Sequence, residues 1–175
     1  MGGSDAPIIL GLSKYMTRQE LLEEKATGIA KRKNDFVLDK GHEFEAKIRA
    51  KYELTTDGDF PPVCFQSDTL EWMRVSLDGF NKETNTAWEI KWVGKDNVHV
   101  PISPSHFCQC QHELMVSNAS QVLLLRGNNS DDVDEKIILP NLPYQEMLQV
   151  VEFNFMKELK KYVKSLSRKR LQPNP

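Results

Sequence analysis

"TAWEIKWVG", residues 86–94, sets a glutamate and a lysine two apart inside a run that is otherwise β-branched, aromatic and apolar. In a strand, successive side chains leave opposite faces, so Glu89 and Lys91 share one face while Trp88, Ile90 and Trp92 share the other. Two readings fit this pattern. One is a half-buried strand with a solvated ion pair on its outside; the other is a strand that aims opposite charges at a reaction centre.

Asp78, in "SLDGF", bears on the choice. It closes a preceding strand just before a turn, eleven residues ahead of Glu89. If the two strands pair as a hairpin, Asp78 and Glu89 come together at one end of the sheet. Carboxylates so placed repel and shift each other's pKa values, and they persist around a cation. Hard oxygen ligands suit Mg²⁺, with Mn²⁺ as a substitute, and these ions keep waters for a substrate. A lysine beside them can orient a water and stabilise charge on a phosphate. Such chemistry suits phosphodiester hydrolysis.

The bulk numbers set bounds. A chain of 175 residues predicts one domain, 1–175, with a core that buries roughly 70% of the unfolded surface. With 25 acids against 23 bases the net charge is −2, so a nucleic-acid site has to be a local patch. Three cysteines, Cys64, Cys108 and Cys110, show no framework spacing and predict a reducing compartment. No stretch approaches an apolar membrane span, and "MGGSDAPIIL" lacks the parts of a leader peptide. The expectation is a soluble, cytoplasmic protein (host cytoplasm if phage-encoded) with no membrane partner.

The local patterns predict the elements. A short helix follows Ser4 as its N-cap, with Asp5 complementing the dipole and Pro7 in the first turn. "TRQELLEEKATG" starts with the capping-box pair Thr17 and Glu20 and stops at Gly28. "NDFVLDKGHEFEAKIRAKYELTT" is helical, with Phe36, Phe44, Ile48 and Tyr52 on one stripe and Gly41 interrupting it. Strands then follow in the catalytic sheet, residues 62–93. Next come a helix over 105–118 capped by Ser105, strands "QVLLLRG" and "EKIILP", and a C-terminal helix over about 143–168. The order predicts an α/β fold with a central mixed sheet of about five strands flanked by helices.

Five segments in this order resemble a known family. "GGSDAPIILGLS", "KGHEFEAKIR", "RVSLDGF", "WEIK" and "HFCQCQHELMV" together look like the lambda-exonuclease or YqaJ-type viral recombinase branch of the PD-(D/E)XK nuclease superfamily. The likeness runs from Gly2 to about Val116. It implies a restriction-endonuclease-like core and a Mg²⁺-dependent 5′-to-3′ exonuclease on linear double-stranded DNA. It also implies a single-strand annealing protein as partner and a ring-shaped homotrimer. By the same resemblance Asp78, Glu89, Glu45 and the carbonyl of Ile90 hold the metal, and Lys91 assists the attacking water. Gln109 lies beside the scissile phosphate, and Ser4 meets a DNA phosphate at a helix N-terminus. Leu77 stands where the superfamily has proline. The family's arginine ahead of the G-x-S segment has no counterpart, since only Met1 to Gly3 precede Ser4. That implies a modest preference for phosphorylated ends unless another base fills the role.

Plainer readings stand beside these. Glu45 and Arg49 form an i,i+4 pair of the ordinary surface kind, with Arg49 as an alternative phosphate contact. Gln109 and Gln111 diverge on their helix, so Gln111 bonds locally. Cys108 and Cys110 diverge by about 200° and cannot close a zinc site together. Asp131, Asp132, Asp134 and Glu135 read as a solvated acidic turn. The tail from Lys157 to Arg170 reads as the solvated face of an amphipathic helix that buries Phe153, Met156, Leu159 and Val163, with a DNA-backbone role as the alternative. An endonuclease or nickase on the same fold, and a DNA-binding or assembly module without turnover, are the competing functions.

Overall fold

The computed structural model describes residues 1–30, 35–56, 58–129 and 132–171. Five α-helices appear among them: α1 (Asp5–Ile9), α2 (Arg18–Thr27), α3 (Asp35–Thr55), α4 (Pro104–Ser117) and α5 (Leu142–Leu171). The strands are β1 (Val63–Gln66), β2 (Arg74–Leu77), β3 (Gly79–Asn81), β4 (Thr86–Trp92), β5 (Gln121–Asn129) and β6 (Asp132–Ile138). The side chain of Phe36 and the whole of Asp131 lie outside the described part.

The strands divide into two sheets where the sequence predicts one of about five. β3-β4-β5-β6 form a mixed sheet, and β1-β2 form a separate antiparallel pair. β4 runs antiparallel to β3 and parallel to β5, and β5 runs antiparallel to β6. The parallel step requires a crossover, which α4 provides. β4 is therefore an interior strand, and Glu89 is 2% exposed. That excludes the solvated surface ion pair.

Period two sorts the core. On one face Ile90 and Leu125 meet Phe44 and Ile48 of α3. On the other, Ala87, Val122 and Leu124 meet Cys110 and Leu114 of α4, joined by Val75 and Leu77 of the β1-β2 pair. Tyr52 donates its hydroxyl to Glu135, tying α3 to β6. Beyond α4 lie α1, α2 and α5, where Ile9, Leu21, Leu22 and Phe155 cluster. α4 is thus buried on both sides, and His112 bridges outward. Its Nδ1 is 2.8 Å from Glu152 of α5 and its Nε2 is 3.1 Å from the Arg74 carbonyl.

Four local expectations change. α4 is capped by Ser103, whose hydroxyl accepts from the His106 amide at 3.1 Å, with Pro104 in the first turn. Ser4 makes no side-chain capping bond; Asp5 instead accepts from the Gly2 amide at 2.8 Å and pairs with Lys25 at 2.8 Å. On α5, Phe153 and Val163 are 44% and 39% exposed, while Leu148, Glu152 and Phe155 are fully buried. The acidic turn is not simply solvated. Asp134 is buried and pairs with Arg126 at 2.5 Å, and Asp132 bonds His99 at 2.7 Å. Other expectations hold: the Thr17–Glu20 capping box forms, and Gly28 ends α2 in the left-handed conformation. Gly41 does not break α3, and a Cβ there would meet nothing within 4 Å.

Gly127 sits where β5, β6 and α3 converge. A Cβ there would lie 2.5 Å from the Asp132 carbonyl oxygen and 2.9 Å from the Phe44 ring. The carbonyl belongs to the backbone and cannot swing aside. Gly127→Ala is therefore expected to cost about 3 kcal/mol in urea unfolding, at the upper end of ordinary overpacking. Unchanged stability would mean that the β5-β6 register is looser than it looks.

Candidate active site

The site forms where β3 leaves β4. Antiparallel pairing runs from Asn81↔Thr86 to Gly79↔Trp88 and then stops, because the chain before Asp78 belongs to β2. The Ile90 amide consequently has no strand partner on that edge. The Asp78 carboxylate takes its place, accepting from the Ile90 N–H at 2.7 Å. In an extended strand one residue's N–H and C=O leave the same edge, so the Ile90 carbonyl faces the side that Asp78 occupies.

Glu89 points to the α4 face. It forms an ion pair with Lys91 and accepts from Gln109 Nε2 at 2.5 Å. The same Gln109 nitrogen donates to Glu113 Oε1 at 2.9 Å. Glu113, one helical turn beyond Gln109, is fully buried, and its Oε2 has no hydrogen-bond partner. Sequence reading misses Glu113. Its one signal is the i,i+4 spacing from Gln109, which ordinary surface pairs share.

The electrostatics follow from crowding acids in a dry place. Burial, and then Glu89, push the Asp78 carboxyl up to about 6. Burial and then Asp78 raise Glu45, while Lys91, His42 and Arg49 act against them. Burial and then Glu89 raise Glu113 well above its ordinary value. Lys91 behaves oppositely. Burial disfavours its charge, but Glu89, Glu113 and Asp78 outweigh that and raise its pKa. His106, near Lys91 on α4, is lowered to about 4 by burial and then by Lys91 and Arg126. It is a neutral imidazole at pH 7.

Each sequence-predicted residue can now be placed. Asp78, Glu89, Ile90, Lys91 and Gln109 come together, with Glu45 and Arg49 of α3 close enough to act on Asp78 or be acted on by it. Arg49 keeps its Nη1 buried without a partner. Ser4 is exposed beside Gly3, which packs on Glu113 and Gln109. Gln111 stands apart: it accepts from the Asn141 amide at 2.8 Å and donates to the Leu139 carbonyl at 2.9 Å, joining α4 to the β6-α5 link.

Among the described residues, no three His, Cys, Asp or Glu side chains form a ready metal cage. The donor set still fits a hard divalent cation. Mg²⁺ takes one or two carboxylates and keeps waters, where a closed protein cage is not needed. Asp78 bonds Ile90 through Oδ2 alone, and both bonds to Glu89 go to Oε1, so each carboxylate has a second oxygen outside these bonds.

A mixed sheet with helices on both faces, and an aspartate at a strand end followed by E-x-K on the next strand, place the chain in the PD-(D/E)XK nuclease class of folds. A model of the YqaJ-like viral recombinase domain matches residues 1–120, and the chain belongs to that family. No curated relative matches it. Among solved structures, the alkaline exonuclease LHK-Exo from Laribacter hongkongensis shares the fold at a TM-score of 0.79 with 19% identity, over 97% of this chain and 92% of that one. The same protein in complex with dAMP gives a TM-score of 0.80 at 19% identity and the same coverage. A phage related exonuclease from Haemophilus somnus 129PT gives 0.71 at 11% identity, over 95% of this chain and 96% of that one. Among the described residues no helix is long and apolar enough to cross a membrane.

Proposed function

We propose that this protein, as one nuclease domain, is a divalent-metal-dependent deoxyribonuclease that degrades linear double-stranded DNA from the 5′ end in phage-type recombination. The observation that carries the reading is the buried Glu89, gripped by Lys91 and Gln109 beside Asp78. Holding charged groups in the dry interior is costly, and clusters of such groups with shifted pKa values concentrate at functional sites. Family membership and the exonuclease neighbours support the same class.

Asp78, Glu89 and the Ile90 carbonyl would hold Mg²⁺ or Mn²⁺, with Glu45 completing the set. When bound, the cation would neutralise phosphate charge and make a water more acidic. The chain's own groups do the rest. Lys91 is protonated through the neutral range, so it donates to the attacking water or the phosphate and does not act as a base. Gln109 stands next to it and fixes Glu89. Arg49, half-buried near Asp78, and Ser4, at the exposed N-terminal edge, supply contacts to DNA phosphates.

A duplex labelled at one 5′ or one 3′ end, incubated with Mg²⁺ or with chelator, tests the class and the polarity together. The expected result is label release from the 5′ end only with metal, leaving closed circular plasmid intact. Circle cleavage would make it an endonuclease or nickase. DNA binding without cleavage would make it an assembly module, and digestion from 3′ ends would remove the polarity. Cleavage from 5′ ends leaves a 3′ overhang, so a single-strand annealing protein is the partner we expect. Ile137, Leu139, Leu142, Val150 and Phe153 are exposed apolar side chains of the kind that contacts in a homotrimer would cover. A monomer in a sizing measurement would remove that ring.

A further inference from the structure

We propose that Glu113 is a positioning residue that fixes the Gln109 amide with its carbonyl oxygen toward the reaction, so that Gln109 works as a hydrogen-bond acceptor and not as a donor to phosphate. The inference rests on the nuclease reading. Its starting point is a count of hydrogens. A glutamine Nε2 carries two, and its oxygen carries none. Here that nitrogen lies 2.5 Å from Glu89 Oε1 and 2.9 Å from Glu113 Oε1. Two acceptors take two hydrogens. Nothing remains on the nitrogen for a substrate.

The arrangement also fixes which end of the amide is which. Turning it over would set a carbonyl oxygen against two carboxyl oxygens. With Glu89 as its only acceptor, the amide could turn about its axis and leave one hydrogen free to point anywhere. Glu113 removes that freedom. Its bond stands in either protonation state, because a proton on the unpartnered Oε2 leaves Oε1 an acceptor. Glu113 is itself held. A Cβ on Gly3 would lie 3.1 Å from its Oε1 and 3.3 Å from its Cγ, so the N-terminal backbone presses directly on it. With Nε2 fully used, the Gln109 oxygen is what remains to receive a hydrogen from the attacking water or from the Lys91 ammonium.

Two variants separate this role from mere packing. Glu113→Gln keeps an oxygen that can accept from Gln109; Glu113→Leu keeps the volume and none of the acceptors. Glu113 is a buried acid set against Glu89 with one oxygen unpartnered, so removing its carboxyl relieves repulsion and desolvation, and both variants should fold. We expect kcat within about threefold of the parent for the glutamine and a loss of about 10- to 100-fold for the leucine, the usual size of an orienting contact. DNA affinity in Ca²⁺ should be unchanged in both. A second readout needs no turnover: the Gln109 side-chain amide protons, assigned by NMR through their loss in Gln109→Leu, should both exchange slowly in the parent. One of the pair should exchange fast in Glu113→Leu. The proposal fails if the leucine variant keeps its kcat, if it loses binding in step with rate, or if the glutamine variant is as slow as the leucine. Fast exchange in the parent overturns it too. Absence of cleavage by the parent sinks the nuclease reading alone and leaves this assignment to the NMR.

Discussion

Asp78→Asn should abolish metal-dependent cleavage, by roughly a thousandfold or more, and leave the metal-free protein more stable than its parent above pH 6. The first half follows from the proposed role of Asp78 as a charged metal ligand: several kcal/mol of transition-state charge stabilisation is about three powers of ten in rate. The second half follows from the sign of the shift. Asp78 is held at about 6 against an ordinary 3.8, by burial first and then by Glu89. The folded state therefore keeps its proton more tightly than the unfolded chain does. Metal-free stability falls as pH rises from about 4 to about 6 and then levels. A shift of that size corresponds to about 3 kcal/mol. The asparagine still offers an oxygen to the Ile90 amide but cannot ionise, so this part of the fall should vanish. Melting temperature against pH in chelator measures it, and added Mg²⁺ should stabilise the parent more above pH 6 than below. A variant that digests DNA at a near-normal rate moves the site elsewhere; one with the parent's full pH slope removes the electrostatic account.

The neighbouring carboxylate behaves differently. Glu89→Ala should also end cleavage, but it strips Lys91 of its partner. Breaking a buried pair from one side costs about 3–5 kcal/mol, so this variant should melt earlier with or without metal. Stability thus distinguishes two carboxylates that activity alone cannot.

What the sequence conveys of this site is its strand logic. Alternation in "TAWEIKWVG" puts Glu89 and Lys91 on one face and Trp88 and Ile90 on the other, and the core follows that division. The capping box at Thr17 and Glu20 is equally local and equally legible. What stays hidden depends on distant partners. The strand ends at Asp78 because β2 turns to pair with β1, and no residue near Asp78 announces that. The phase of α5 is misread because its buried stripe, Leu148, Glu152 and Phe155, contains a glutamate whose partner His112 lies forty residues away. A charge in the stripe shifts the apparent apolar face toward Phe153 and Val163. Arg126 in "LLLRG" likewise depends on partners distant in sequence: it is 1% exposed. It donates to Asp134 and to the Val100 carbonyl, pinning the loop that leads into α4. Ser105 loses the cap to Ser103 because Pro104 suits the first helical position.

Lys91 supplies the other large effect. Lys91→Met should lower kcat by about 10²–10³-fold, the usual loss for one donor aimed at developing charge. DNA affinity in Ca²⁺ should hold, because the ammonium is already paired with Glu89 in the resting protein and is needed where charge develops. A pKa raised by its three acidic neighbours keeps it protonated through the neutral range, so no base-type limb in the pH–rate profile should trace to it. Methionine leaves Glu89 facing Glu113 across Gln109, two acids without a cation between them, so the variant should also lose stability. Rates therefore need to be read well below its melting temperature. Lys91→Arg separates the two consequences. It returns a charge to Glu89 and should recover most of the stability, but a planar guanidinium cannot place its hydrogens where a compact ammonium does, so kcat should stay low. Equal losses of Ca²⁺-supported binding and of rate in the methionine variant would make Lys91 a phosphate contact. Full activity in the arginine variant would show that charge alone, and not its position, is what the reaction uses.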